Sequence, residues 1–294
     1  MPNFDENRLD EYSDEQLLDF LDNIGTPLTP PPCAVTLLSP NLVAKVVSFK
    51  ILTDAVAAQN LARDLDIRVP KIRRIITKDG VSYIIMDRVD GLTLEECWPS
   101  LGLFATIKLA CELRKFVRRM QEVSSLTAGG LKTGECNSFW LENYYGLPVH
   151  ATPSGVQSFI MFWLRYPGEN PRLYPDPEMH RKYITLAPSL PTRFVFIYQD
   201  LAPRNIMIDK DRRIWLVDWN SAGFYPVHFE YVGMQSFHCE SWHIIDTLRW
   251  WIFCWISVGT YSRERQALDK VREYSVSNVF GRSIVPGIRK HRRL

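Results

Sequence analysis

The sequence contains no apolar segment long enough to cross a membrane. Its most apolar stretch, LRWWIFCWISVG, is shorter than the roughly 20 residues that a spanning helix needs, and it includes Arg249. The acidic start of the chain also lacks the basic and apolar regions of a secretory signal peptide. We therefore expect neither a membrane association nor secretion.

The sequence also lacks closely spaced cysteine pairs and a large excess of charge of either sign. None of the six cysteines is spaced as CxxC, so we expect no zinc or redox motif, and free thiols fit a cytoplasmic protein. The formal net charge of +2 gives no overall field that would attract nucleic acid. The chain contains neither a Gly-x-Ser-x-Gly elbow nor a Rossmann glycine motif, which disfavours a hydrolase and a dehydrogenase.

What the chain does have is enough length and apolar content for a soluble protein of one large domain or two lobes. Residues 13–25 have the pattern of a complete helix, with Ser13 and Gln16 as a capping box and Gly25 as a stop signal. The following TPLTPPP predicts a stiff linker. We assign residues 1–32 to this N-terminal helix and linker.

Residues 33–90 have the pattern of a small antiparallel sheet with one helix. The runs AVTLL and LVAKVVSF predict one hairpin, and VPKIRRIIT and VSYIIMDRV predict another. Between the hairpins, Thr53 is expected to cap a helix that ends near Leu65. Residues 91–280 are mostly helical in pattern, and residues 281–294 form a basic tail that we expect to be a solvated end.

Three polar residues are predicted to meet at one end of a further hairpin. NIMI and RIWLV have the pattern of two strands joined by a turn at residues 209–212. Because a hairpin brings its open ends together, Asn205 before it and Asp218 after it should be neighbours, with Asp200 on the entering loop. Their oxygens suit a hard cation such as Mg²⁺. Each residue alone would also fit an ordinary strand end or turn.

The order Asp, four residues, Asn, hairpin, Asp resembles the catalytic loop and metal-binding motif of protein-kinase-like phosphotransferases. The motifs DLAPRNIMI and VDWNSAGFYP are more specifically similar to the aminoglycoside phosphotransferase and choline kinase family, in particular to its fungal members. The resemblance covers about residues 35–260. It implies an α+β, protein-kinase-like two-lobed fold, with a small antiparallel-sheet N-lobe and a mostly helical C-lobe.

The resemblance also implies an activity, which is ATP- and Mg²⁺-dependent transfer of the γ-phosphate to a hydroxyl of a small molecule, such as an amino alcohol. Asp200 then corresponds to the catalytic base, and Asn205 and Asp218 to the Mg²⁺ ligands. In such reactions the protein mainly positions groups and offsets charge. No nucleic-acid or membrane partner is implied. The alternative is a kinase-fold binding or scaffold protein with weak or no catalysis.

Nucleotide-binding residues are expected in the N-lobe. Lys45 shares a strand face with Val43 and Val47, and the equivalent lysine of the family contacts the ATP phosphates. An exposed edge-strand lysine is the other interpretation, with Lys50 as a second candidate for the phosphate contact. Asp54 either holds Lys45 or is simply an acid favoured in the first turn of a helix.

The segment MDRVDG resembles the hinge between the lobes of the family. Backbone groups from Asp87 to Val89 would then bind adenine, with Met86 beside the ring.

The sequence departs from the family pattern at three places. Tyr198 replaces a histidine that braces the catalytic loop, and its hydroxyl is expected to take over part of that bracing. The hairpin expected to cover the phosphates, around Pro40, has no glycine, which hinders a close backbone approach to phosphate. Asn220 replaces a frequent acid. These departures support the alternative of an inactive protein.

Four tryptophans near the carboxyl end present a further choice. They could form a cage for an ammonium substrate or belong to the core of the C-lobe. The four are Trp242, Trp250, Trp251 and Trp255.

Overall fold

A computed structural model of the chain describes residues 4–23, 25–29, 35–141, 147–166, 177–189, 192–237, 239 and 242–277. The predicted basic tail at residues 281–294 and the prolines of the predicted linker from residue 30 onward lie outside the described residues.

The amino-terminal part contains a five-stranded antiparallel sheet in the order β1-β2-β3-β5-β4. Its strands are β1 (Thr26–Pro27), β2 (Val35–Ser39), β3 (Leu42–Ser48), β4 (Ile72–Lys78) and β5 (Val81–Asp87). Both predicted hairpins are present. The β4–β5 turn places Asp79 and Gly80 at φ values of 52° and 78°, a left-handed conformation that suits an Asp-Gly pair.

Strand β1 comes from the segment that the sequence predicts to be a linker. Thr26 lies opposite Leu37, and the Leu28 N–H donates to the Val35 carbonyl at 2.7 Å. The first residues of TPLTPPP therefore extend the sheet instead of only joining two units.

Helix α1 (Asp14–Asn23) covers one face of this sheet. Its predicted capping box is present, because the Ser13 N–H donates to the Gln16 side chain at 2.8 Å and the Gln16 N–H donates back at 3.2 Å. Leu17 and Phe20 pack with buried residues of β2, β3, β4 and β5. The cluster explains why an isolated-looking amino-terminal helix folds, since the sheet buries its apolar face.

Helix α2 (Phe49–Asp64) begins earlier than the sequence predicts. Ser48 is its N-cap residue, in an extended conformation, and the chain turns directly from β3 into the helix. The expected cap, Thr53, therefore lies inside the helix, and this prediction is wrong. Threonine has a high propensity for the N-cap position, which favoured Thr53. The helix instead begins where the paired strand β3 ends.

The remainder is mostly helical, and together with the sheet this confirms the predicted α+β fold class. The helices are α3 (Leu94–Cys97), α4 (Leu103–Glu122), α5 (Pro153–Arg165), α6 (Pro177–Thr185), α7 (His228–Gln235), α8 (Ile244–Val258) and α9 (Ser262–Ser277). They surround a large core rich in aromatic side chains, in which Trp98, Trp163, Trp219 and Trp250 are fully buried.

Two three-stranded antiparallel sheets lie within this helical part. One contains β6 (Gly91–Thr93), β9 (Ile206–Asp209) and β10 (Ile214–Leu216). The other contains β7 (Ser124–Ser125), β8 (Phe194–Ile197) and β11 (Gly223–Tyr225). The first sheet contains the predicted hairpin, and the second fixes the chain on either side of it. In the described ranges, every helix is too short or too polar to cross a membrane.

Candidate active site

The predicted hairpin forms and brings its two ends together. Leu216 lies opposite Ile206, and the Val217 N–H donates to the Asn205 carbonyl at 3.0 Å. Asn205 and Asp218 therefore flank the open end of the hairpin. Asp218 has a φ of 69°, in the left-handed region, where aspartate is tolerated better than most residues.

Asp200 lies against the same end of the hairpin. The Asn205 side-chain amide donates to the Asp200 Oδ2 at 2.8 Å and to its backbone carbonyl at 3.0 Å. The Arg204 guanidinium donates to both carboxylate oxygens, at 2.8 and 3.0 Å. Burial raises the pKa of Asp200, the charge of Arg204 opposes that rise, and the charge of Asp218 adds to it. Asp200 therefore lies at the end of the hairpin that Asn205 and Asp218 flank.

Lys45 joins this site from the N-terminal sheet. Its Nζ lies 2.6 Å from the Asp218 Oδ1, and its side chain is only 9% exposed. Val43 and Val47 of the same strand are buried in one cluster, as the alternation of β3 predicts. Lys50, the second candidate for this role, is exposed on α2. Lys45 is therefore the lysine that the fold places beside the converging polar groups.

Asp54 does not pair with Lys45, which corrects one of the two expectations for this residue. The Lys132 and Thr133 N–H groups donate to the Asp54 Oδ1 at 2.7 and 3.1 Å, and the Thr133 hydroxyl donates to its Oδ2. Because α2 begins at Phe49, Asp54 lies beyond the first turn, which corrects the other expectation as well. Asp54 instead anchors α2 to the loop that contains these donors.

Tyr198 braces the loop that leads to Asp200 through a hydrogen bond of its hydroxyl, as the sequence predicts. The hydroxyl donates to the carbonyl of Val217, the residue before Asp218. The ring packs edge-on against Trp219, with 4.8 Å between centroids. Burial raises the pKa of the Tyr198 hydroxyl far above its usual value, so the hydroxyl stays protonated and donates. The Tyr198 side chain is fully buried in the core.

Glu230 of α7 is a bracing residue that the sequence reasoning missed. Its carboxylate accepts the Tyr198 N–H at 2.8 Å and the Gln199 N–H at 2.9 Å. Burial raises its pKa to about 7, although these two donors oppose the rise. The signal in the sequence was an acid within the apolar run HFEYV, because a buried acid needs partners.

The expected hinge lies at the end of β5. Met86 is buried, the Asp87 N–H donates to the Lys71 carbonyl at 3.0 Å, and the Arg88 N–H donates to the Asn41 carbonyl at 2.7 Å. These two N–H groups are therefore used within the sheet. Within the described ranges, the Val89 N–H makes no hydrogen bond.

The turn around Pro40 lies at this hinge, so it does not cover the phosphates as the sequence reasoning expected. Leu42 pairs with Asp87, whereas Lys45 pairs with Val35 at the other end of β2. The connection near Lys45 is the one between β1 and β2, and its residues 30–34 lie outside the described ranges. A turn and its flanking strands do not reveal which end of the sheet faces the site.

The four tryptophans do not form a cage. Trp242 and Trp250 pack with each other at 6.0 Å between centroids, and Trp250 is buried in the core. Trp251 and Trp255 lie on the surface. A pocket of about 240 Å³ contains Trp251 beside the first pair, but it also contains Arg265, whose charge repels an ammonium ligand.

The donor set of the site fits a divalent cation. Asp218 uses its Oδ1 for Lys45, and Asn205 uses its amide nitrogen for Asp200. Their remaining oxygens, a carboxylate and an amide oxygen, are the ligand types that Mg²⁺ prefers. Across the described ranges, no three His, Cys, Asp or Glu residues group as a metal site, so a cation here would depend on this mixed pair and on a ligand's own oxygens.

Comparison with known proteins agrees with this geometry. Residues 39–252 match the model of the phosphotransferase enzyme family. Aminoglycoside phosphotransferase APH(3'')-Id from Streptomyces rimosus has a similar structure, with a TM-score of 0.51 and 16% identity over 87% of this chain and 96% of that one. ADP-bound aminoglycoside phosphotransferase APH(2'')-Ib also has a TM-score of 0.51, with 13% identity over 89% of this chain and 90% of that one.

Among curated proteins, none matches this sequence. The family model nevertheless covers well over half of the chain, and the structural similarity extends over most of it. The chain therefore belongs to the phosphotransferase enzyme family and has the protein-kinase-like fold of the aminoglycoside phosphotransferases.

Proposed function

We propose that this protein is an ATP- and Mg²⁺-dependent phosphotransferase that transfers the γ-phosphate to a hydroxyl of a small molecule. One observation carries the proposal. Lys45 bonds to Asp218, Asn205 bonds to Asp200, and both pairs lie at the open end of one hairpin. Phosphoryl transfer needs such an arrangement, because positioning and charge compensation supply most of its catalysis.

Lys45 is proposed to hold the ATP phosphates. Its ammonium group is buried and bonded to Asp218, so it is presented at a fixed place at the floor of the site. Asn205 and Asp218 would hold Mg²⁺, which when bound neutralises phosphate charge as the reaction proceeds. Asp218 would then contact both the lysine and the cation, which ties the position of one to that of the other.

Asp200 is proposed to accept the proton of the acceptor hydroxyl. Its raised pKa makes the Asp200 carboxylate a better proton acceptor than that of an ordinary aspartate. Arg204 bonds to both carboxylate oxygens, but within the described part of the chain Oδ1 accepts only that one bond and can accept a second from an acceptor hydroxyl. The Arg204 side chain is 53% exposed, so the guanidinium can also move aside.

Adenine is proposed to lie at the hinge beside Met86, with backbone groups between Asp87 and Val89 as its partners. The Val89 N–H is the available donor, because the Asp87 and Arg88 N–H groups bond within the sheet. The ADP in APH(2'')-Ib, a protein of similar fold, supports nucleotide use.

The acceptor is proposed to be a small alcohol or amino alcohol, and the protein to be cytoplasmic and of the fungal branch. The family name does not make an aminoglycoside the natural acceptor, since one fold supports many substrates. A panel of alcohols, amino alcohols and sugars, each assayed for ATP consumption, would identify the acceptor class. ATP consumption that none of these compounds stimulates would contradict this part of the proposal.

A thermal shift experiment tests nucleotide binding directly. ATP at about 100 times its dissociation constant stabilises the folded state by about 2.7 kcal/mol, which for this length corresponds to about 4 °C. We expect that shift with Mg²⁺, a smaller one without it, and none in Asp218→Ala, each relative to the ligand-free variant. Asp211→Ala, in the exposed turn of the same hairpin, is the matched control and should behave like the wild type. No shift in the wild type at millimolar MgATP would refute the proposal.

A kinase-fold binding protein without catalysis is the second candidate. The observation that favours it is that each charged group of the site already has a partner in the chain, with Lys45 on Asp218 and Arg204 on Asp200. For such a protein we expect a nucleotide shift that is absent or independent of Mg²⁺, and no ATP consumption with any acceptor. Retention of the Mg²⁺-dependent shift together with acceptor-stimulated ATP consumption would exclude it.

A further inference from the structure

Helix α8 buries its charged residues and exposes apolar ones, which is the reverse of an ordinary surface helix. Its two charged residues, Asp246 and Arg249, are buried and paired with each other. Arg249 also donates to the backbone carbonyls of Trp98 and Leu101. Its exposed residues are all apolar, namely Ile244, Ile245, Leu248, Trp251, Ile252 and Trp255. A helix that faces water normally places its charges outward and its apolar residues inward.

The neighbouring helix α4 adds to this apolar surface. The two helices run side by side in the same direction, because Arg249 contacts Leu101 while the Ser257 hydroxyl reaches the Ala110 carbonyl at 3.4 Å. The first turns of α4 expose further apolar side chains. We call the combined surface the α4–α8 face, which consists of the six exposed α8 residues with Leu103, Phe104 and Ile107.

The α4–α8 face is larger than a monomeric protein usually exposes. Phe104 is 83% exposed, Trp251 53%, Trp255 59% and Ile244 81%. With roughly 200 Å² for an aromatic side chain and about 100 Å² for an aliphatic one, the nine residues expose roughly 700 Å². The largest apolar patch of a typical monomer is about 300–600 Å². One partner of a standard protein–protein interface buries about 800 Å².

We propose that the α4–α8 face is the interface of a symmetric homodimer. The nine residues of the face carry no charge, so packing two copies of them together buries no unpaired ion among them. An apolar patch of this kind is self-complementary, as a two-fold interface requires. Two opposed faces of this size reach the area of a stable dimer. The proposal does not depend on the proposed function.

Sedimentation equilibrium of the full chain between about 1 and 50 µM tests the proposal. We expect a wild-type mass of twice the 34.2 kDa of one chain. Leu248→Glu and Trp251→Glu, which place a charge on the face, should each give the monomer mass. Phe49→Glu is the matched control, since Phe49 is 60% exposed on the first residue of α2, away from the face, and it should remain dimeric.

A variant that is monomeric because it has unfolded must be distinguished from one that has only lost its partner. Far-ultraviolet circular dichroism and a cooperative urea unfolding transition should be like those of the wild type for both α8 variants, because their changed residues are on the surface. Should one of them fail to fold, Trp255→Lys provides the same test at another point of the face. A monomeric wild type at 50 µM overturns the proposal, and so does a dimer that persists in well-folded variants.

Discussion

Removal of the Tyr198 hydroxyl tests whether this side chain holds the proposed catalytic loop to the segment that contains Asp218. The hydroxyl donates to the carbonyl of Val217, directly before Asp218, while the ring packs on Trp219. Tyr198→Phe keeps the ring and its packing and removes only the hydrogen bond. Any change in stability can therefore be assigned to that bond.

The expected magnitude follows from the burial of the two partners. Tyr198 is fully buried and Val217 is half-buried, so the variant leaves the Val217 carbonyl largely without a partner. A buried acceptor that loses its partner destabilises a protein by about 1–3 kcal/mol. Because Val217 retains some contact with water, we expect about 1–2 kcal/mol, which corresponds to a decrease in melting temperature of about 2–3 °C for a chain of this length.

Urea denaturation of the two proteins measures this difference, with an unchanged dependence on urea as the sign that both unfold alike. Tyr83→Phe is the matched control, because Tyr83 is half-buried on β5 and none of the side-chain hydrogen bonds within the described ranges involves its hydroxyl. We also expect Tyr198→Phe to reduce the MgATP-induced shift, since the position of Asp218 depends on the segment it braces. A variant within about 0.5 kcal/mol of the wild type would refute the bracing role.

Three further predictions concern charged or titrating groups. Asp218→Asn leaves the buried Lys45 unpaired and should destabilise the protein by about 3 kcal/mol in urea denaturation. Lys45→Met leaves the more exposed Asp218 unpaired and should destabilise it by less; equal effects would contradict this. Arg204→Gln should raise the pKa of Asp200 further, so the acidic limb of the rate of ATP hydrolysis should move to higher pH. Burial lowers the pKa of His228 to about 4, so the unfolded chain takes up a proton first as the pH falls. The contribution of His228 to stability, which is present above about pH 6.5, should therefore decrease by about 3 kcal/mol towards pH 4. The raised pKa of Glu230 acts in the opposite direction in both proteins, so the stability of His228→Leu relative to the wild type should increase by that amount over this range.

The parts of the fold that the sequence predicted are those that local patterns determine. The hairpin between Asn205 and Asp218 depends on two short apolar runs and a polar turn, and its geometry alone makes its ends neighbours. The face of Lys45 follows from the alternation of a single strand. Such features need no knowledge of how distant segments pack.

Apart from the expected cap at Thr53, the errors concern distances between segments that are far apart in sequence. The turn at Pro40 was expected over the phosphates, but the pairing of Leu42 with Asp87 places it beside the expected hinge, and this depends on the order of strands in the sheet. One of the two expectations for Asp54 placed it beside Lys45, but it binds a loop almost eighty residues later in the chain, at Lys132. Spacing along the chain contains no information about either approach.

The ion pairs of the site have a consequence for how a nucleotide can bind. Lys45 with Asp218 and Arg204 with Asp200 form a site whose formal charges cancel in the absence of a ligand. A nucleotide without a cation would have to bring its phosphates against two carboxylates while competing with one of them for Lys45. A divalent cation shared by Asp218 and the phosphates removes that repulsion and leaves the lysine with acidic groups on both sides. The arrangement therefore requires a nucleotide affinity that depends strongly on the cation, and the dependence should disappear when Asp218 is replaced by asparagine.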